Sequence, residues 1–193
     1  MSRYSHESLV LMDPTLERTF RGHKSHINAV AFSPTLKQLA SASSDNSILL
    51  WNFKPQLRAF RFVGHKAAIT DVQFSPDGDV VASASKDKTV RLWAPNAKGD
   101  FVELKGHTGA VRSVNFSRDS RVLLSSSDDK TAKVFALPSR KFLSTLTGHS
   151  NWVRTSALSN DSQSAVTGSD DRLVKLWDMN TAQCVHTFHD HDE

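Results

Sequence analysis

The sequence predicts an all-β protein built from four repeated four-stranded units, and three observations predict it. Gly-His recurs at Gly22-His23, Gly64-His65, Gly106-His107 and Gly148-His149, each pair 42 residues from the next. An aspartate follows each histidine by 22 residues, at Asp45, Asp87, Asp129 and Asp171. An aromatic follows each aspartate by six, at Trp51, Trp93, Phe135 and Trp177. Three residue types locked to one period through four copies define a structural unit repeated along the chain.

The second copy shows how a unit is built. Ile69 to Phe74 reads as a strand, because Val72 and Phe74 point the same way at a spacing of two. Ser75-Pro76-Asp77-Gly78 supplies type I turn chemistry, with proline at the second position and glycine at the fourth. Val80 to Ser85 makes the second strand, Lys86-Asp87-Lys88 a tight turn, and Thr89 to Trp93 the third strand. After a looser link, Phe101 to Leu104 makes the fourth. Short strands at regular spacing, with turns between them, are the mark of an all-β protein.

Bulk composition narrows the classes of function. With 38% apolar and 23% charged residues, the chain has enough apolar content for a buried core and is not of disordered composition. The apolar run Leu9-Val10-Leu11-Met12 is too short for a signal sequence and far too short to span a membrane. A single cysteine, Cys184, excludes an internal disulfide and fits a reducing, intracellular compartment. The formal charge of +4 is spread along the chain, which argues against a dedicated nucleic-acid groove. Acidic partners, the acidic tails of tubulin among them, stay open on charge alone.

The unit resembles the WD repeat of the β-transducin type, in which Gly-His and a terminal Trp-Asp bracket one blade of a β-propeller. Trp-Asp survives here only at Trp177-Asp178; elsewhere the dipeptide is Trp51-Asn52, Trp93-Ala94 and Phe135-Ala136. The resemblance implies an N-terminal tail over 1–14 and a partial WD-repeat propeller over 15–193. Its blades are expected at about 23–63, 65–105, 107–147 and 149–189. Thr15 to Phe20 corresponds to a fourth strand, of the kind that closes a propeller by completing its last blade. Four blades plus this closing strand are expected to be part of a seven-bladed ring. Open ends would expose unpaired edges and apolar blade faces, so self-association through them is expected.

In this family the histidine, the turn aspartate, a hydroxyl on the second strand and the tryptophan form a hydrogen-bonded chain within each blade. The resemblance assigns those roles to His23, Asp45, Ser41 and Trp51, and to His65, Asp87, Ser83 and Trp93. It assigns them again to His149, Asp171, Thr167 and Trp177, and to His107, Asp129 and Ser125 in the third blade. There Phe135 keeps the bulk but lacks the indole N–H, so this blade is expected to be the least rigid. A catalytic Ser-His-Asp reading is disfavoured by repetition, since an active site is needed once and a fold support in every blade. Zinc binding by His23 and His26, or by His186, His189 and His191, is disfavoured because these read as repeat members and surface residues. No catalytic residue, metal or cofactor is expected, and no phosphate-cradling glycine loop occurs.

Several segments lie outside the shared repeat pattern: Trp51 to Phe62, Ala94 to Gly99, Asn151-Trp152-Val153-Arg154, Cys184-Val185-His186 and Asp13 to Arg18. Together they resemble the proteome-of-centriole WD-repeat family. That resemblance implies a non-catalytic scaffold of centrioles and basal bodies, bound to the microtubule wall and needed for stable triplets and cilium formation. The expected partners are other centriolar proteins and tubulin, without a small-molecule substrate, membrane or nucleic acid. The alternative is an adaptor in another intracellular complex, such as a ubiquitin ligase or chromatin assembly. Contacts to a partner are expected from Trp152, whose equivalents are His26, Ala68 and Ala110, and from Arg154, Arg112, Lys86 and His26.

Overall fold

The computed structural model describes residues 16, 18–54 and 58–189. They form four antiparallel sheets, each of four strands in chain order. The first holds β1 (Ile27–Phe32), β2 (Gln38–Ser43), β3 (Ser47–Asn52) and β4 (Phe60–Val63). The second holds β5 (Ile69–Phe74), β6 (Val81–Ser85), β7 (Val90–Trp93) and β8 (Phe101–Leu104). The third holds β9 (Val111–Phe116), β10 (Val122–Ser127), β11 (Thr131–Ala136) and β12 (Lys141–Thr147). The fourth holds β13 (Val153–Leu158), β14 (Ser164–Ser169), β15 (Val174–Asp178) and β16 (Gln183–Phe188). In the Ser75–Gly78 turn the Gly78 N–H donates to Ser75 O at 2.9 Å, and Gly78 sits at φ +83, which a glycine adopts without strain.

The blades stack by one rule. Ala40, Ala42, Ile48, Leu50 and Phe62 of the first receive Ile69, Val72, Phe74, Val81 and Trp93 of the second. Ala82, Ala84, Val90, Leu92 and Leu104 receive Val111, Val114, Phe116, Leu123 and Phe135 of the third in the same way. Small residues on one face make room for branched and aromatic residues on the next. Each fully buried aliphatic side chain contributes roughly 1.5–3 kcal/mol. The rule shows most plainly where a neighbour is missing. Ile27, Val30 and Phe32 are 53%, 61% and 63% exposed, whereas their counterparts Ile69, Val72 and Phe74 are 0%, 1% and 8% exposed.

Polar bridges run between blades as well. The Asn28 amide donates to Ile69 O and the Thr70 hydroxyl to Val111 O, each at 2.6 Å. The Val114 N–H donates to the Asp71 carboxylate and the Leu158 N–H to the Asn115 side-chain oxygen, each at 3.0 Å. The four sheets do not close into a ring.

The N-terminal segment has no unfinished blade to complete among the four described sheets. Thr15 and Glu17 lie outside the described residues, and Leu16 and residues 18–20 join no sheet. A fourth strand needs a third strand beside it, and every sheet here already has four members. Instead Phe20 rests against Trp51, with ring centroids 5.2 Å apart, and Arg18 donates to Phe53 O at 3.1 Å. Phe20 thus stands on the indole of the first blade as Phe62 stands on Trp93, whose centroid is 5.5 Å away.

Candidate interaction face and the polar network beneath it

The first strand of every blade carries a bulge at the same place. The pairing register skips one residue between Ile27 and Ala29, Ile69 and Asp71, Val111 and Ser113, and Val153 and Thr155. The extra residues are Asn28, Thr70, Arg112 and Arg154. A bulge turns its side chain out of the ladder and re-aims it, here toward the end of the sheets that carries the β2–β3 turns and their equivalents. Asn28, Thr70, Arg112 and Arg154, with Ser44 and Lys86, line an open cavity of about 300 Å³ at that end.

The four bulge residues are used differently. Asn28 and Thr70 spend their side chains on the next blade's backbone. Arg154 forks onto Asp170, with Nε to Oδ1 at 2.7 Å and Nη2 to Oδ2 at 2.6 Å, and this holds the Asp170 carboxyl below its ordinary range. Arg112 forks onto Asp128 in the same manner. Both guanidinium groups also flank Trp152, at 4.9 Å for Arg154 and 5.8 Å for Arg112 from its ring centroid. Trp152 is 42% exposed, so the two cations hold an accessible indole in place. Lys86 and His26 are exposed at the same end; the Lys86 N–H donates to Ala68 O, and His26 O accepts from Ser44 N–H.

Beneath this face lies the recurring network. His65 Nδ1 is 2.7 Å from Asp87 Oδ2, His65 Nε2 is 2.7 Å from Ser83 Oγ, and Trp93 Nε1 donates to Ser83 Oγ at 2.9 Å. His23, Asp45, Ser41 and Trp51 stand at 3.1, 2.7 and 2.8 Å in the same order. His149, Asp171, Thr167 and Trp177 stand at 2.8 Å throughout. In the third blade His107 meets Asp129 at 2.7 Å and Ser125 at 2.8 Å, and Phe135 donates nothing.

One proton assignment satisfies every atom: indole N–H to hydroxyl, hydroxyl to Nε2, and Nδ1–H to carboxylate. Burial holds the His65 pKa below its ordinary value despite Asp87 beside it, which keeps the ring neutral. Burial opposes ionisation of Asp87 too, but the Thr89 hydroxyl, the Lys66 N–H and His65 outweigh it and lower its pKa to about 2. Asp45, Asp129 and Asp171 are lowered by equivalent donors against the same burial.

Ser–His–Asp contacts of this length invite comparison with a hydrolase, and burial answers it. Ser83 and Ser125 are 0% exposed and Thr167 1%, so no substrate carbonyl reaches the hydroxyl oxygen. Among the described residues no group of three or more His, Cys, Asp or Glu stands close enough to hold a metal ion. His191 lies outside them. No helix of the described residues is long and apolar enough to cross a membrane.

Sequence position marks both arginines as contact candidates but does not by itself identify their acceptors. A signal was available: Asp128 and Asp170 each follow an arginine by 16 residues, and Ser44 and Lys86 occupy those positions in the blades without one. The bulge left no such trace, since Asn, Thr and two Arg share no single property.

Four stacked four-stranded meanders with this network define a repeat protein of propeller blades. The family model "WD domain, G-beta repeat" matches residues 14–52, 56–94, 101–135 and 140–178, well over half of the chain, and the chain belongs to that WD40 family. More particular similarity comes from curated relatives. The chain is 54% identical over 50 residues to "POC1 centriolar protein homolog A" of Xenopus tropicalis, covering 26% of this chain and 11% of that protein. It is 56% identical over 54 residues to the Danio rerio homolog A, covering 28% and 13%. Against homolog B of Mus musculus it is 53% identical over 53 residues, covering 28% and 11%. The matched stretch is thus about a tenth of the length of these relatives.

Proposed function

We propose that this chain is a non-catalytic protein-interaction scaffold of centrioles and basal bodies. On this reading it binds other centriolar proteins and the tubulin of the microtubule wall, and supports triplet stability and cilium formation. The observation that carries the reading is identity above 50% to several centriolar relatives. The blade geometry supports the non-catalytic part, because the reactive-looking residues are consumed in holding each blade together. Trp152 is the contact residue of choice: it is exposed, rigidly flanked, and replaced by alanine at Ala68 and Ala110, so the frame does not need it.

The test is the position of a fluorescently tagged copy in dividing, ciliated cells after soluble protein is extracted with detergent. Retention at centrioles or basal bodies is expected, with Trp152→Ala reducing it while the domain stays folded. A nuclear or washed-out signal from folded protein would overturn the centriolar reading in favour of an adaptor role in a ubiquitin ligase or chromatin complex.

A further inference from the structure

The two ends of the blade stack differ in how their charges are used. At the end bearing Trp152, the carboxylates are turned inward or already taken. Asp45, Asp87, Asp129 and Asp171 are only 3–7% exposed beneath their turns. Asp128 and Asp170 are forked by Arg112 and Arg154, and Glu103 is shared by Arg91 and Lys105. Lys24, Lys66, Lys86, Lys88 and Lys130 are exposed at this end, and none has a carboxylate oxygen within 4.0 Å among the described residues. The opposite end mixes signs, with Asp77, Asp119, Asp161 and Asp178 among Arg118, Arg121 and Arg140.

Backbone conformation fixes where those cations stand. The tip of each β2–β3-type turn is left-handed, at Asn46 (φ 65), Lys88 (φ 73), Lys130 (φ 70) and Arg172 (φ 67). Only Asn46 is a residue that accepts this conformation readily. The other three tips carry long cations. Left-handed residues also stand at the opposite end, at Leu36, Ser120, Arg140, Ser162 and Ala182, so the conformation belongs to the frame. What sets this end apart is that its tips present exposed Lys88 and Lys130.

We infer that this end of the stack is a docking surface for an acidic polypeptide segment, which lies across the lysines and is anchored beside Trp152. This rests on the reading of the chain as an interaction scaffold and adds to it the face and the chemistry of the partner. The cations attract the segment, and the indole beside two guanidinium groups offers an apolar step within the charged field. The pinned arginines orient the ring, leaving the lysines as the unneutralised charges.

The experiment is fluorescence anisotropy of a fluorescein-labelled poly-glutamate peptide titrated with the 193-residue chain. Saturable binding is expected, weakening by roughly tenfold or more between low and physiological salt as exposed charges are screened. Lys66→Glu/Lys86→Glu/Lys88→Glu should weaken it by about tenfold or more, since three attractions become repulsions. Arg118→Glu/Arg121→Glu, at the other end, should leave it unchanged, and circular dichroism shows that each variant is folded. Equal binding by the lysine variant would overturn the inference, and so would tighter capture of a DNA duplex of matched charge. If the tagged chain still reaches centrioles when peptide binding fails, only this inference falls and the scaffold reading survives.

Discussion

The second and third hydrogen-bonded chains share serine, histidine and aspartate and differ in the aromatic, Trp93 against Phe135, which makes the indole bond separable. In the second blade Ser83 Oγ accepts from the Trp93 indole at 2.9 Å and serves His65 Nε2 at 2.7 Å, with Ser83 wholly buried. Ser83→Ala removes one oxygen and strands two buried polar groups. In the third blade Ser125 serves His107 at 2.8 Å, but Phe135 has no N–H to strand. A buried group left without its partner costs about 1–3 kcal/mol. Ser83→Ala should therefore cost about 2–6 kcal/mol and Ser125→Ala about 1–3 kcal/mol. The volume removed is equal, so any cavity contribution cancels in the comparison. Urea unfolding gives the two values, and hydrogen exchange assigns the loss to a blade, which matters because stacked repeats can open one at a time. If Ser125→Ala costs as much as Ser83→Ala, the indole bond contributes nothing and the reasoning fails.

Three further outcomes follow from the same geometry. The carboxyl pKa of Asp87 is depressed to about 2, and those of Asp45, Asp129 and Asp171 also lie below their ordinary values. Their stabilisation is present above the unfolded value of about 4 and is lost as pH falls toward the folded one, while neutral buried His65 adds a loss beginning near 6.5. Thermal midpoints should therefore drop gently below about pH 6.5 and steeply below about 4; a flat profile down to pH 3 would refute this. Lys88→Asn, at φ 73, should stabilise the chain by about 0.5–1 kcal/mol in urea titrations while weakening poly-glutamate binding, and a loss of stability would show that the tip is not strained. In sedimentation equilibrium this 193-residue chain should self-associate through the exposed Ile27, Val30 and Phe32 face, and Phe32→Lys should return it to a monomer; a monomeric parent chain would refute this.

The strands were legible because the 42-residue period puts each turn and each aromatic at a repeated place, and the second blade follows the reading to within a residue at every strand end. The N-terminal segment was not legible, because whether Phe20 sits in a strand depends on a neighbouring strand and not on its own residue type. Alternation also fails at Arg91, a cation only 4% exposed between hydrophobic neighbours. Its guanidinium lies 4.3 Å from the Phe101 ring centroid and 2.9 Å from Glu103, contacts that need β8 folded beside β7. Trp152 was legible as an exception to the repeat, whereas the bulge that aims Arg154 toward it was not. A bulge is a property of the pairing between two strands, and either strand read alone looks regular.

A frame repeated four times separates what the fold needs from what a partner reads. Positions where the copies agree, such as His65 and Asp87, are turned inward. Among those where they differ, Ala68, Thr70 and Lys86 against Trp152, Arg154 and Asp170 stand together at one end. A partner touching only the shared frame would have equivalent seats, and the exceptions leave it one. The trio should therefore be portable. Ala68→Trp/Thr70→Arg/Lys86→Asp rebuilds it on the second blade, at the cost of the Thr70–Val111 bond, about 0.5–1.5 kcal/mol. Placed in a Trp152→Ala background, it should restore part of the centriolar retention that Trp152→Ala removes. If the grafted chain folds and Trp152→Ala retention does not recover, the fourth blade contributes something other than these three side chains, and the trio is not portable.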